Sequence, residues 1–288
     1  AWGLRSISSV RHQKTRYGWD NDGSPIALFE QPFFEESDEL SQEFQLSGLA
    51  LAERLDWVVG LYYAEESAEM QADTVIAQPL WTATFPSPPF PPGFRIDASQ
   101  LLNVWSDSWS AAAFGQVTYG LTDRLSITAG ARYSYDWKEL ARQRQRINSG
   151  VMHVPYGEID DNWSAVTGRL GFEYRYTDDL MAYISAARGY KSGGMNGAGV
   201  STLEFTPFDP EYLVTYEMGL RSDWLERRLR FNLSVFLSDY EDLQLRSVRS
   251  DPWGQPINLV DNVAEAEIKG FELEITAVPA PGLELSAG

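Results

Sequence analysis

The sequence predicts an all-β chain: a transmembrane, antiparallel, up-and-down β-barrel, of which about eleven strands are present. Three observations predict it. Apolar and polar residues alternate with period two rather than 3.6. The alternating segments run to roughly 10–14 residues, where strands of globular proteins have about 5–6. Aromatic residues gather towards the segment ends, as in Tyr133–Tyr135–Trp137, Tyr174–Tyr176 and Trp57 with Tyr63, which is the pattern of the girdles at the two membrane interfaces. A soluble β-sandwich also alternates, but neither long strands nor aromatic ends follow from it.

Taken in order, residues 1–12 alternate poorly and receive no face, and a polar stretch near 13–39 reads as a long loop. Leu55–Glu66 contains the run "WVVGLYYA", and residues 67–105 read as a second long loop. The tight turn "LTDR" (Leu121–Arg124) opens the clearest strand: Leu125, Ile127, Ala129, Ala131, Tyr133, Tyr135 and Trp137 oppose Arg124, Ser126, Thr128, Gly130, Arg132, Ser134 and Asp136. After a loop near 143–160, Val166, Gly168, Leu170, Phe172, Tyr174 and Tyr176 form an apolar face against Thr167, Arg169, Glu173 and Arg175. "TDD" (Thr177–Asp179) is a turn, 180–190 alternates poorly, and 191–209 is a loop. Tyr212, Val214, Tyr216, Met218 and Leu220 then oppose Thr215, Glu217 and Arg221. Beyond "DWLER" (Asp223–Arg227), Arg228–Ser238 alternates with only Phe236 out of place. A loop near 246–258 precedes "EIKGFELEITA", where Lys269 shares the parity of Phe271, Leu273, Ile275 and Ala277, so that a bulge or a snorkelling ammonium is needed there. "PAPG" (Pro279–Gly282) is the last turn.

Short turns thus alternate with long loops, as expected of tight periplasmic turns and large outer loops. Arg or Lys on a lipid face costs about 2–4 kcal/mol at the bilayer midplane. The apolar faces of the four clear strands carry no charge, while every opposite face carries an Arg that a wet lumen can solvate.

Composition narrows the function. A net charge of −18 and a pI near 4.5 argue against nucleic acid as a partner. With no Cys there is no disulfide, thiolate metal site or cysteine nucleophile. No apolar run approaches the ~20 residues of a membrane helix. The chain starts at Ala1 without a signal-peptide pattern and ends in "LELSAG", within a strand-like stretch, so we expect an internal piece of a longer protein.

The segment "AARGYKSGGMNG" (Ala186–Gly197) poses a choice between a phosphate loop and a strand leaving its sheet. A phosphate loop needs Gly before its Lys and again five positions upstream. Tyr190 and Ser185 stand there instead. The glycines are therefore expected to turn the chain at a barrel rim, where they tolerate positive φ.

"ARGYKSGGMN" resembles the point at which a barrel strand of TonB-dependent outer-membrane receptors enters its outer loop. "SQEFQLSG" (Ser41–Gly48), "LDWVVGLYYAEE" (Leu55–Glu66), Pro210–Leu245 and Asn262–Gly288 resemble the same family in the same order. The spacing of Glu217, Gly219, Gly270, Glu272 and Glu274 is the most specific part. The resemblance implies a twenty-two-stranded barrel closed by a plug, resident in the bacterial outer membrane among lipid and lipopolysaccharide. It further implies nutrient import powered by the TonB complex, which grips a segment ahead of the plug. Residues 1–288 are then part of the barrel domain, with the plug and the C-terminal barrel strands outside them. The expected cargo is a ferric siderophore, with no enzymatic step and no cofactor. A passive porin and a secreted all-β carbohydrate-binding protein are the alternatives.

Candidate ligand contacts follow. If strand parity continues through "KELARQRQRIN", Arg142, Arg144 and Arg146 all face the lumen and could hold an anionic chelate. A solvated hairpin is the plainer reading. In "WTATFPSPPFPPGF", Trp81, Phe85 and Phe90 could meet a ligand from a stiff loop, or pack on neighbouring loops. Glu35–Glu39 and Asp160–Asp161 suggest either divalent-ion sites at the lipopolysaccharide or solvated loops. Glu272 and Glu274 are expected to pair with lumenal Arg rather than act as catalytic acids, and Ser106–Ser108 with His153 makes no credible nucleophile and base.

Overall fold

A computed structural model describes residues 2–21, 23, 29–76, 99–147, 149–197, 204–250 and 256–288. Eleven strands form one sheet: β1 (Trp2–Asp20), β2 (Phe29–Ala50), β3 (Leu55–Ile76), β4 (Gln100–Gly120), β5 (Leu125–Arg146), β6 (Met152–Thr177), β7 (Leu180–Lys191), β10 (Glu211–Trp224), β11 (Leu229–Ser250), β12 (Pro256–Ala280) and β13 (Leu283–Ala287). Each pairs antiparallel with the next in that order. The remaining two, β8 (Gly194–Met195) and β9 (Pro207–Phe208), make a small hairpin within the β7–β10 connection. Among the described residues no helix is long and apolar enough to cross a membrane; the crossing elements are strands.

The register carries the alternation from strand to strand. Tyr119, Ile127, Phe172, Ile184, Met218, Val235 and Phe271 lie opposite one another in succession from β4 to β12. This row and its neighbours stay uncovered: Leu61 is 63% exposed, Val166 60% and Phe271 72%. No second sheet packs on this face among the described residues, as a soluble sandwich requires. Hydrocarbon is the solvent that fits it. Tyr119 and Trp109, ten residues apart on β4, mark the margins of the band; at ~3.3 Å per residue and a tilt of ~40° they stand about 25 Å apart in height. Near the outer margin, Tyr63, Trp109 and Tyr135 stack in series with centroids 6.4 and 5.2 Å apart.

Lys269 fits this frame. It lies twelve residues from the turn at Pro281–Gly282, about 30 Å of height at the same tilt. There its ammonium meets Glu267 at 2.7 Å.

On the inner face, three glycines sit directly opposite aromatic rings: Gly60 with Phe114, Gly219 with Tyr183, and Gly270 with Phe236. Each ring lies over the bare backbone; a Cβ on Gly219 would fall 2.5 Å from Tyr183, and one on Gly270 3.0 Å from Phe236. Phe236, out of pattern in its own strand, is thus accommodated by a glycine on another.

The strands are longer than the alternation predicts. Seven of the eleven have 21 residues or more, and β6 has 26, so much of each stands above the apolar band. The stretches 13–20, 29–39, 67–76, 100–105, 143–146, 152–160 and 246–250 are strand extensions rather than loop, and the poorly alternating 2–12 and 180–190 belong to β1 and β7. The acidic run Glu35–Glu39 is part of β2 and faces the basic residues of β1. Arg11 meets Glu39 at 2.8 Å, Lys14 meets Glu36 at 2.8 Å, and His12 lies 2.8 Å from Asp38. Such exposed pairs contribute about 0–1 kcal/mol each; they set register more than stability. Two short turns use consecutive left-handed residues, Leu51–Ala52–Glu53 and Leu225–Glu226–Arg227.

Candidate functional site

Above the Trp109–Trp137 level, β5 turns Lys138, Leu140, Arg142 and Arg144 to the inner face, and β6 adds Trp163. The floor beside them is apolar. Leu102 and Val104 of β4 lie directly opposite Arg144 and Arg142, and both pack with Ala72, Phe33, Met70 and Leu140.

The β7–β10 connection folds down over this wall as a strap. Lys138 Nζ donates to the Gly193 carbonyl at 2.7 Å, and Arg142 donates to the Gly197 carbonyl at 3.1 Å. The Phe205 ring lies 4.5 Å from the Arg142 guanidinium, in space left by Gly157. The strap's other side is fastened to β12. Asn196 Oδ1 accepts the Val260 N–H at 2.7 Å while its amide donates to the Val260 carbonyl at 3.0 Å, and Glu204 accepts the Asn258 N–H at 2.8 Å. Asn262 closes the far end, accepting from Asp209 N–H at 2.7 Å and donating to the Asp209 and Asp242 carbonyls, each at 2.8 Å. Asp242 is the left-handed residue of the β11 bulge that this side chain fills. From β5 to β12 the strap spans five strand spacings, about 24 Å of sheet.

The glycines of "KSGGMNG" serve this packing. None of Gly193, Gly194 and Gly197 has positive φ. A Cβ on Gly194 would stand 2.6 Å from the Phe208 ring and one on Gly197 2.6 Å from Leu140, while Gly193 is pressed against Trp163. They permit close approach, not the turn that the sequence suggested.

The candidate arginines divide. Arg142 is 1% exposed and Arg144 8%; both lie beneath the strap, and Arg144 also donates to Gln100 at 3.1 Å. Arg146 is half-buried at the β5–β6 hairpin tip, where its backbone bonds to Val151 and Gly150. Burial lowers the pKa of both Arg142 and Arg144, and Arg144's charge lowers that of Arg142 further. The Glu204 carboxylate, 2% exposed, acts on both guanidiniums in the opposite sense. Burying two like charges is tolerable because an opposite one is buried with them. Trp81, Phe85 and Phe90 lie outside the described residues. Lys138, Trp163, Asn196, Glu204 and Phe205 escape sequence reading; the one faint signal is a single acid between Leu203 and Phe205.

Nearer the short turns, the inner wall forms a polar concavity of about 910 Å³. Tyr183 donates to Glu217, the Arg221 guanidinium lies 5.4 Å from the Tyr183 ring, Arg230 pairs with Asp223 at 2.9 Å, and Glu274 accepts from Asn232 at 3.4 Å. Glu274's hydrogen bond is thus to an amide rather than to an Arg. Among the described residues no group of three or more His, Asp or Glu is placed to hold a metal ion.

A sheet with hydrocarbon on one face and a charged, wet interior on the other defines the wall of an outer-membrane β-barrel. Residues 1–288 match the family described as "TonB dependent receptor-like, beta-barrel". The chain is 27% identical over 242 residues to the pesticin receptor of Yersinia enterocolitica, covering 84% of this chain and 32% of that protein. It is 28% identical over 194 residues to the ferric-pyoverdine BN7/BN8 receptor of Pseudomonas putida, covering 62% and 20%. Among solved structures, the ferric yersiniabactin uptake receptor FyuA of Yersinia pestis superposes with a TM-score of 0.78 at 22% identity, over 99% of this chain and 39% of that one. The chain belongs to the TonB-dependent receptor β-barrel family, whose members are transport receptors of the bacterial outer membrane rather than enzymes. It spans about a third of the length of the pesticin receptor.

Proposed function

We propose that residues 1–288 form part of the barrel of a receptor that takes up a ferric siderophore across the outer membrane, driven by the TonB complex. The observation that carries this reading is the cationic set Lys138, Arg142 and Arg144 on the inner wall above the apolar band, next to Trp163 and Phe205, in a chain of net charge −18. Charge-assisted bonds to an anionic chelate are what such a set offers. The receptors named for ferric pyoverdine and ferric yersiniabactin share this family and this fold. In this reading the plug and the remaining barrel strands lie outside residues 1–288. The polar concavity bearing Glu217, Arg221 and Glu274 is the surface on which the plug rests, and TonB grips a segment ahead of it. No bond of the cargo is made or broken.

The test is iron uptake by cells carrying the full-length gene, with a panel of ferric siderophores that includes ferric yersiniabactin. Saturable uptake of at least one of them, abolished by deleting tonB, is the expected result. Uptake that is unsaturable and indifferent to TonB would indicate a passive pore instead.

A further inference from the structure

We infer that Glu204 and Phe205 stand in for the cargo, and that the cargo is therefore a chelate presenting an anionic oxygen group beside an aromatic ring. This rests on the reading of Arg142 and Arg144 as ligand contacts, and it makes Glu204 a specificity-determining residue.

The argument starts from what surrounds Arg142. Three of its neighbours come from the strap: the Gly197 carbonyl at 3.1 Å, the Phe205 ring 4.5 Å from the guanidinium carbon, and the charge of Glu204. Glu204 acts on Arg144 as well. Consecutive residues of one segment thus offer a carboxylate to both arginines and a planar ring to Arg142. Both arginines are almost wholly enclosed, so an external ligand reaches them only by taking the strap's place. A ligand that supplied charge alone would leave the guanidinium face without its ring, and a neutral ring would leave two buried cations uncompensated, which is the costlier defect. Replacing Glu204 has a second consequence. The same carboxylate accepts the Asn258 N–H of β12 at 2.8 Å, so an arriving anion also removes one of the strap's bonds to that strand.

An internal occupant lowers apparent affinity by the fraction of molecules in which it has left. Glu204→Gln keeps an oxygen for the Asn258 N–H but loses the charge. The experiment uses the full-length receptor in detergent at low salt, titrated calorimetrically with salicylate, which carries a carboxylate on a ring, and with citrate, which carries carboxylates and no ring. We expect Glu204→Gln to bind salicylate roughly tenfold more tightly than the wild type, with a smaller gain for citrate. Salicylate should also speed amide exchange at Asn258 in the wild type. Unchanged or weaker salicylate binding by Glu204→Gln overturns the inference while leaving the arginine site standing. An equal gain for both probes overturns the aromatic half. Arg142→Gln with Arg144→Gln in the Glu204→Gln background separates the two readings: retained salicylate binding there removes the arginine site itself, and this inference with it.

Discussion

Replacing Gly219 by Ala adds one methyl group to the inner wall, and the structure says what it meets. The new Cβ would lie 2.5 Å from the Tyr183 ring and 2.6 Å from its Cζ and Oη. A shift of the ring is forced, because the register holds Tyr183 directly opposite. The ring cannot move alone: Tyr183 donates to Glu217 and lies under Arg221 at 5.4 Å. Overpacking costs about 1–3 kcal/mol, the bond to a charged group about 1.5–3 kcal/mol, and the cation–π contact about 0.5–1 kcal/mol at an exposed site. Against this, Ala in a strand regains about 0.5–1 kcal/mol over Gly. These groups are only partly buried, so the low end applies, and we expect Gly219→Ala to destabilise the folded barrel by about 2–4 kcal/mol. The assay is urea unfolding of the full-length receptor from lipid vesicles, followed by tryptophan fluorescence. Tyr183→Ala serves as the second arm of a double-mutant cycle: with the ring gone, the Gly219→Ala penalty should nearly vanish. A Gly219→Ala protein as stable as the parent, or a penalty unchanged in the Tyr183→Ala background, would refute the ring-over-glycine account.

Further outcomes follow from the same geometry. Met218→Arg, at the middle of the outward row, should cost about 2–4 kcal/mol in the same unfolding assay, whereas Ser234→Arg on the inner face should cost little. Asn262→Ala leaves the Asp209 and Asp242 backbone groups to water and should weaken the strap by about 1–2 kcal/mol, read as faster amide exchange at Asp209. Gly197→Val drives a side chain into Leu140 and should lift the strap from β5, exposing Arg142 to modification by phenylglyoxal. In the full-length receptor, Arg142→Gln with Arg144→Gln should reduce affinity for the ferric siderophore it transports about tenfold or more, and unchanged affinity would remove these residues from the site.

Legibility in the sequence ends where the solvent changes. Within the apolar band each strand has oil on one side and water on the other, so Leu125–Trp137 writes its two faces plainly. Above the band both faces meet water or polar loops, and the alternation lapses: Glu35–Glu39 reads as loop although it is strand. The inward parity of Arg142 and Arg144 was readable because the ladder of β4 and β5 continues without a break to Arg146. The cover over them was not. Glu204 acts on residues about sixty positions away, and its own segment has no periodicity to betray it. Phe236 shows the same limit, since Gly270, the glycine that explains it, lies on the next strand, thirty-four residues on.

The central claim is that one face of every strand meets hydrocarbon and the other meets water. The chain has no Cys, so single cysteines can be placed one by one from Phe231 to Ser238 in the full-length receptor, spin-labelled, and reconstituted in lipid. Collision with oxygen should be high at 231, 233, 235 and 237 and low at 232, 234, 236 and 238, with a water-soluble nickel chelate giving the opposite pattern. Equal accessibility at odd and even positions, or protection of the odd positions from both reagents, would contradict it.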